Sequence, residues 1–165
     1  MALVPHDFAD EPFARPRIAS GVLYFDAASR VMLVYPTYKE LWDIPGGYVR
    51  PDETPRQALH REIREELSTQ LPVGPLLIAD WAPSEQEGDK LLFIFDGGEL
   101  TAKERANIRV DNTEISEYAY HERDELNYLL IPRLARRVHA AIDARARGAT
   151  VYLEHGQGAE SQGRH

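Results

Sequence analysis

GYVRPDETPRQALHREIREELST, residues 47–69, decides how this chain is read. A loop opening on the glycine pair Gly46–Gly47 leads into it, and it carries Glu53, Arg61, Glu62, Glu65 and Glu66. Its second half predicts a helix. Each helical residue advances about 100°, so Glu65 lies about 60° to one side of Glu62 and Glu66 about 40° to the other. Three carboxylates then share one helix face, and like charges at these spacings repel. A divalent cation among their oxygens is the simplest resolution. The competing reading is a solvated helix laced with pairs such as Arg61–Glu65. The glycine pair and Glu53 upstream weigh against it.

The helix start is well signalled. Thr54 suits an N-cap, Pro55 the first helical position, and Gln57 completes a T-x-x-Q capping box. Leu59, Ile63 and Leu67 recur every four residues as an apolar stripe. Glu66 lies about 60° from Ile63 on the wheel. That position predicts a half-buried carboxylate, which is costly unless paired or metal-bound.

These residues resemble the Nudix box, G-x5-E-x7-R-E-U-x-E-E-x-G-U, where U is a bulky apolar residue. Gly47, Glu53, Arg61, Glu62, Ile63, Glu65 and Glu66 match in register, whereas Ser68 and Thr69 depart from the final glycine and apolar position. That glycine ends the helix in the family, so Ser68 either strains the cap or lets the helix run on. The resemblance implies an α/β (α+β) Nudix fold, a mixed β-sheet sandwiched between α-helices. It implies Glu62, Glu65, Glu66 and the Gly47 carbonyl as metal ligands, for Mg²⁺ with Mn²⁺ able to substitute. It implies Glu62, Glu66, Arg61 and Glu53 as the catalytic set, with Glu62 a ligand or general base and Arg61 orienting a carboxylate. The activity implied is hydrolysis of a nucleoside diphosphate linked to another group: a nucleoside triphosphate, ADP-ribose or a nucleotide sugar. The alternative is a non-catalytic Nudix-fold nucleotide sensor. Such domains commonly lose box carboxylates, and this chain keeps all of them.

Family members often take the base from outside the box, which makes Glu114 and Glu117 candidates for an extra base or ligand. Arg50 is a candidate phosphate contact. Trp42, Tyr48 and Trp81 could stack on a base, although aromatics of this size more often serve the core. Signatures resembling SQPWPFPxS or LLTSxR, associated with NADH and coenzyme A substrates, are absent.

Composition frames this reading. A chain of 165 residues, 43% hydrophobic and 28% charged, suits one domain over residues 1–153. Cysteine is absent, which excludes disulfides and thiol chemistry, including that of the isopentenyl diphosphate isomerases that resemble this box. A net charge of −8 argues against general nucleic-acid binding but not against a small phosphate substrate, because a bound cation reverses the local field. No apolar run suits a signal peptide or a membrane span, so the expected location is cytoplasmic. A homodimer is left open.

Periodicity predicts strands over 18–25, 31–35, 76–81, 91–95 and 115–120, with 91–95 central. A second amphipathic helix is expected over 132–147, ended by Gly148, and a short edge strand over 151–153. Residues 1–17 read as an extended arm. The polar stretch 97–113 reads as a long loop that either covers the site or moves freely. Residues 154–165, EHGQGAESQGRH, read as a disordered tail.

Overall fold

Residues 12–158 are described by a computed structural model. Alternation along β2 (Val31–Pro36) shows how the layers arise. Val31 and Leu33 enter one apolar cluster, and Met32 and Val34 enter another. A strand sends successive side chains to opposite faces, so this sheet is apolar on both and takes a helix on each.

Among the described residues the sheet also holds β1 (Arg17–Phe25), β3 (Gly46–Tyr48), β4 (Leu76–Trp81), β5 (Lys90–Glu99), β6 (Ile115–His121) and β7 (Val151–Glu154). The order is β6-β2-β1-β5-β4-β7, with β3 pairing β1 as well. The β1–β5 and β4–β7 pairs are parallel and the others antiparallel. The mixed sheet and the central place of β5 agree with the sequence expectation.

One face takes α1 (Pro55–Leu67), whose Leu59, Ile63 and Leu67 pack on Val22, Tyr24, Met32 and Phe95. The other takes α4 (Pro132–Arg147), through Leu134, Ala135, Val138, Ala141 and Ala144. Gly148 ends α4 as anticipated. No described helix is long and apolar enough to cross a membrane.

Two expectations change. The glycine pair does not open a loop; Gly46 and Gly47 form β3, paired with Gly21 and Ser20 of β1. Residues 97–113 are neither lid nor free loop. The strand β5 continues to Glu99 across a bulge opposite Leu23/Tyr24. At Gly97 a Cβ would stand 2.2 Å from the Tyr24 ring, so the ring takes that space. Next comes α2 (Ala102–Asn107), opened by a Thr101–Glu104 capping box, and the Arg109 N–H then donates to Leu67 O at 3.0 Å. No residue of α2 is buried, so it has no apolar stripe for periodicity to detect. Of the two outcomes open at Ser68, the structure shows the strained cap: α1 ends there in the left-handed region at φ 56°.

Of the expected N-terminal arm, residues 1–11 lie outside the described residues, and 12–16 form no regular element. Of the expected disordered tail, residues 154–158 are described and hydrogen-bonded. Glu154 and Gln157 exchange backbone bonds at 2.9 Å, the Arg136 guanidinium donates to His155 O at 2.9 Å, and the Gly156 N–H donates to the buried Asp80 carboxylate at 2.9 Å. Low apolar content misled here because this segment is held by polar bonds rather than burial. A chain ending at His155 is expected to melt roughly 3–10 °C below the full chain, since a hydrogen bond to a buried charged group contributes about 1.5–3 kcal/mol. Thermal unfolding of the two chains checks this, and equal midpoints would refute it.

Candidate active site

Thr54 accepts the Gln57 N–H at 3.2 Å while Gln57 accepts the Thr54 N–H at 2.9 Å, so the capping box forms as read. It places Glu53 just ahead of the first turn, facing Arg61 two turns on. The Arg61 guanidinium is then fully engaged. Nε and Nη2 grip Glu53 at 2.6 and 2.9 Å, Nη1 reaches Glu62 at 2.6 Å and Glu65 at 3.2 Å, and Nη2 also donates to Tyr48 O at 3.0 Å. A planar fork of five donors allows these five contacts; an ammonium has only three donors. The Arg61 hydrogen bonds hold the Glu53 carboxyl down at about 2, so it stays ionised.

Gly47 explains how Glu62 comes so close to the backbone. A Cβ on Gly47 would lie 2.5 Å from the Glu62 carboxylate. Glu62 is half-buried, and burial raises its pKa against the lowering effect of Arg61.

Glu62, Glu65 and Glu114 each bring a carboxylate oxygen within 4.8 Å of the other two. Glu114 lies just before β6, so the late strand reaches the α1 site. Three carboxylate oxygens so grouped form a donor set for a hard divalent cation. Glu66 takes a separate position. It is 8% exposed, more buried than its wheel position predicts, and its carboxylate accepts the Gly46 N–H at 3.1 Å. Burial pushes its pKa up to about 9, with Glu62, Asp43 and Glu114 adding to the rise.

The remaining candidates are dispersed. Arg50 comes to 3.9 Å of Glu65. Tyr48 lies exposed beside the glycines, its hydroxyl donating to Glu87 at 3.1 Å and accepting from Lys90 at 3.1 Å. Trp42 is half-buried, in edge contact with Tyr35 and His121 at 5.2 and 4.7 Å. Trp81 is half-buried in β4, between Leu91 and Glu154. Neither tryptophan lines the cavity described next. Glu117 is exposed and paired with Tyr35, apart from the group Glu114 joins.

A cavity of about 210 Å³ opens beside Gly46 and Gly47, toward α4. Its walls include Ser20, Ile44, Leu92, Leu134 and Arg137, with Tyr38 and Tyr48 also along it. Arg137 is 4% exposed and donates to Asp80, itself fully buried. The sequence reading missed this pair. Its signal was a cation on the inward stripe of 132–147, three residues past Leu134, and a carboxylate inside the apolar run 76–81.

Comparison with known proteins follows the same lines. The family model of the NUDIX domain matches residues 15–142. The CTP pyrophosphohydrolase of Escherichia coli (strain K12) is 59% identical over 34 residues, 21% of this chain and 25% of that protein. The RNA pyrophosphohydrolase of Pseudomonas putida (strain GB-1) is 36% identical over 53 residues, 32% of each. The match thus spans a quarter to a third of the length of these curated relatives. In three dimensions a NUDIX hydrolase from Nitrosomonas europaea superposes with a TM-score of 0.67 and 17% identity, over 86% of this chain and 80% of that one. At that identity the likeness speaks to the fold alone.

Proposed function

Because this chain belongs to the Nudix family, we propose that it is a divalent-cation-dependent pyrophosphohydrolase acting on a nucleoside diphosphate linked to another group. The observation that carries this is the approach of Glu62, Glu65 and Glu114 within 4.8 Å beside an arginine that orients two of them. The names of the matched relatives, a CTP and an RNA pyrophosphohydrolase, agree with a phosphoanhydride substrate. Among nucleoside triphosphates, ADP-ribose and nucleotide sugars, the first fit those names best.

Glu62, Glu65 and Glu114 would hold the cation, Mg²⁺ or Mn²⁺, joined by Glu66 once its buried carboxyl ionises and by the Gly47 carbonyl. When bound, such an ion neutralises phosphate charge and eases deprotonation of the attacking water. The chain's own groups do the rest. Glu53 fixes Arg61, and Arg61 fixes Glu62 and Glu65. Water attacks phosphorus, the bridging P–O bond breaks, and the water's proton passes to Glu62 or Glu114. Arg50, 3.9 Å from Glu65, would contact a phosphate oxygen.

Exhaustive chelation is expected to lower turnover at least about a hundredfold, the scale of several kcal/mol of lost charge stabilisation, and added Mg²⁺ or Mn²⁺ to restore it. The assay runs a panel of nucleotides and reads products by mass. Full turnover in chelator would refute the cation requirement. Tight Mg²⁺-dependent nucleotide binding with no product across the panel would instead identify a sensor.

A further inference from the structure

We propose that Arg17 and Arg50 together bind the terminal phosphate of the substrate, and so select a nucleoside triphosphate over a nucleoside diphosphate that carries a sugar. The proposal deepens, and rests on, the reading of the chain as a nucleotide pyrophosphohydrolase.

The pairing of β3 with β1 runs Gly21↔Gly46, Ser20↔Gly47 and Ala19↔Tyr48. The Val49 N–H, donating to Ile18 O at 2.8 Å, carries that register one step further. The next step sets Arg17 across from Arg50. Both are exposed, and both line one open concavity that Glu53 borders. Like charges directly opposite on neighbouring strands are destabilising, so this pair calls for an anion.

No carboxylate among the described residues is free to supply it. Arg61 takes both oxygens of Glu53, at 2.6 and 2.9 Å. One oxygen of Glu65 stands 3.9 Å from Arg50, too far for a hydrogen bond, and Arg61 takes the other at 3.2 Å. Glu87 is engaged by Lys90 at 3.4 Å and by the Tyr48 hydroxyl at 3.1 Å. Arg17 forms no ion pair among the described residues.

Two guanidinium groups side by side suit a phosphate, which each can grip with two parallel hydrogen bonds. A terminal phosphate carries about two negative charges at pH 7, enough to neutralise both arginines. Position agrees with this. Glu65, the acid nearest Arg50, belongs to the carboxylate group that would hold the cation. The Arg50 backbone is fixed by Glu53: its N–H donates to the Glu53 carboxylate at 3.1 Å, and the Glu53 N–H donates to Arg50 O at 3.1 Å. A polyphosphate lying on the cation would therefore reach the arginines with its last phosphate. A nucleotide sugar would bring an uncharged ring there and leave the two charges opposed.

The test uses the full chain with Mg²⁺ and three pairs of compounds matched in base: UTP with UDP-glucose, GTP with GDP-mannose, and ATP with ADP-ribose. In every pair that is turned over, kcat/KM should favour the triphosphate. That ratio should fall by about tenfold or more in Arg17→Gln and in Arg50→Gln, the scale of one lost hydrogen bond to a charged group. Both variants should melt no lower than the wild-type chain, because each relieves the repulsion. A second measurement needs no turnover. Calorimetry with Mg²⁺ and methylenediphosphonate, whose P–C–P bridge water does not cleave, should show binding that the double variant weakens by about tenfold or more. Equal use of the two members of each pair, a ratio unchanged in the folded variants, or diphosphonate binding that is absent or indifferent to both arginines would overturn the proposal and leave the hydrolase reading in place. Arginine-dependent diphosphonate binding by a chain that hydrolyses none of the six compounds would keep the phosphate site and remove the hydrolase reading.

Discussion

Glu66→Gln is expected to cut hydrolysis at least about a hundredfold, because the role proposed for Glu66 is that of a charged ligand to a cation supplying several kcal/mol of transition-state stabilisation. The same substitution should raise stability in metal-free buffer. Glu66 is buried, its carboxyl is pushed up to about 9, and an unfolded glutamate titrates near 4.5. Between those values the unfolded chain releases a proton that the folded one retains. Stability therefore falls as pH rises through this window, by about 3 kcal/mol at pH 7 relative to pH 4.5 and by more up to pH 9. Gln has no proton to release and can still accept the Gly46 N–H. At pH 7 the variant should melt roughly 5–10 °C higher than the wild-type chain without metal, and added Mg²⁺ should narrow the gap by stabilising only the wild type. Melting in chelator over pH 5–9, together with turnover, checks both halves. Undiminished turnover by the variant would refute the ligand role of Glu66.

Asp80→Ala should be the most damaging change away from the acidic cluster. It strands the Arg137 guanidinium, 4% exposed, with no counter-charge. Removing one partner of a buried pair costs about 3–5 kcal/mol, while replacing both with apolar groups of similar volume is often neutral. The single variant should melt roughly 6–20 °C lower, and Asp80→Leu combined with Arg137→Leu should recover most of that. An Asp80→Ala chain melting within two degrees or so of wild type would show that Arg137 finds water or another partner in solution.

How much of this was legible in the sequence depends on how local each feature is. The cap at Thr54 and the stripe Leu59–Ile63–Leu67 needed only a few consecutive residues, and both formed as read. Glu53 and Arg61 were two turns apart on one segment, so their pairing was within reach of the motif. Glu114 and Glu117 were equivalent on paper. Register against β2 decided between them: Glu117 pairs with Tyr35, whereas Glu114 precedes the strand and joins Glu62 and Glu65. The Asp80–Arg137 pair was illegible because it joins two elements distant in sequence, and neither segment names the partner of the inward charge it carries. For α2 the helical period was missing, but T-x-x-E at Thr101–Glu104 was there to be seen. Residues 154–158 misled because polar composition reports on burial, not on carbonyls and amides that neighbours engage, while 159–165 lie outside the described residues.

The parallel pairing of β1 with β5 encloses every residue from β2 through β4, the glutamate helix included. Glu114 comes later still, at the head of β6. Long-range pairings form last because distant segments must first be brought together, and a nascent chain emerges from its N-terminal end. On the ribosome, α1 with its box is therefore exposed well before the strand that delivers Glu114. A nascent chain stopped before β6 carries the signature of the family without the assembled carboxylates.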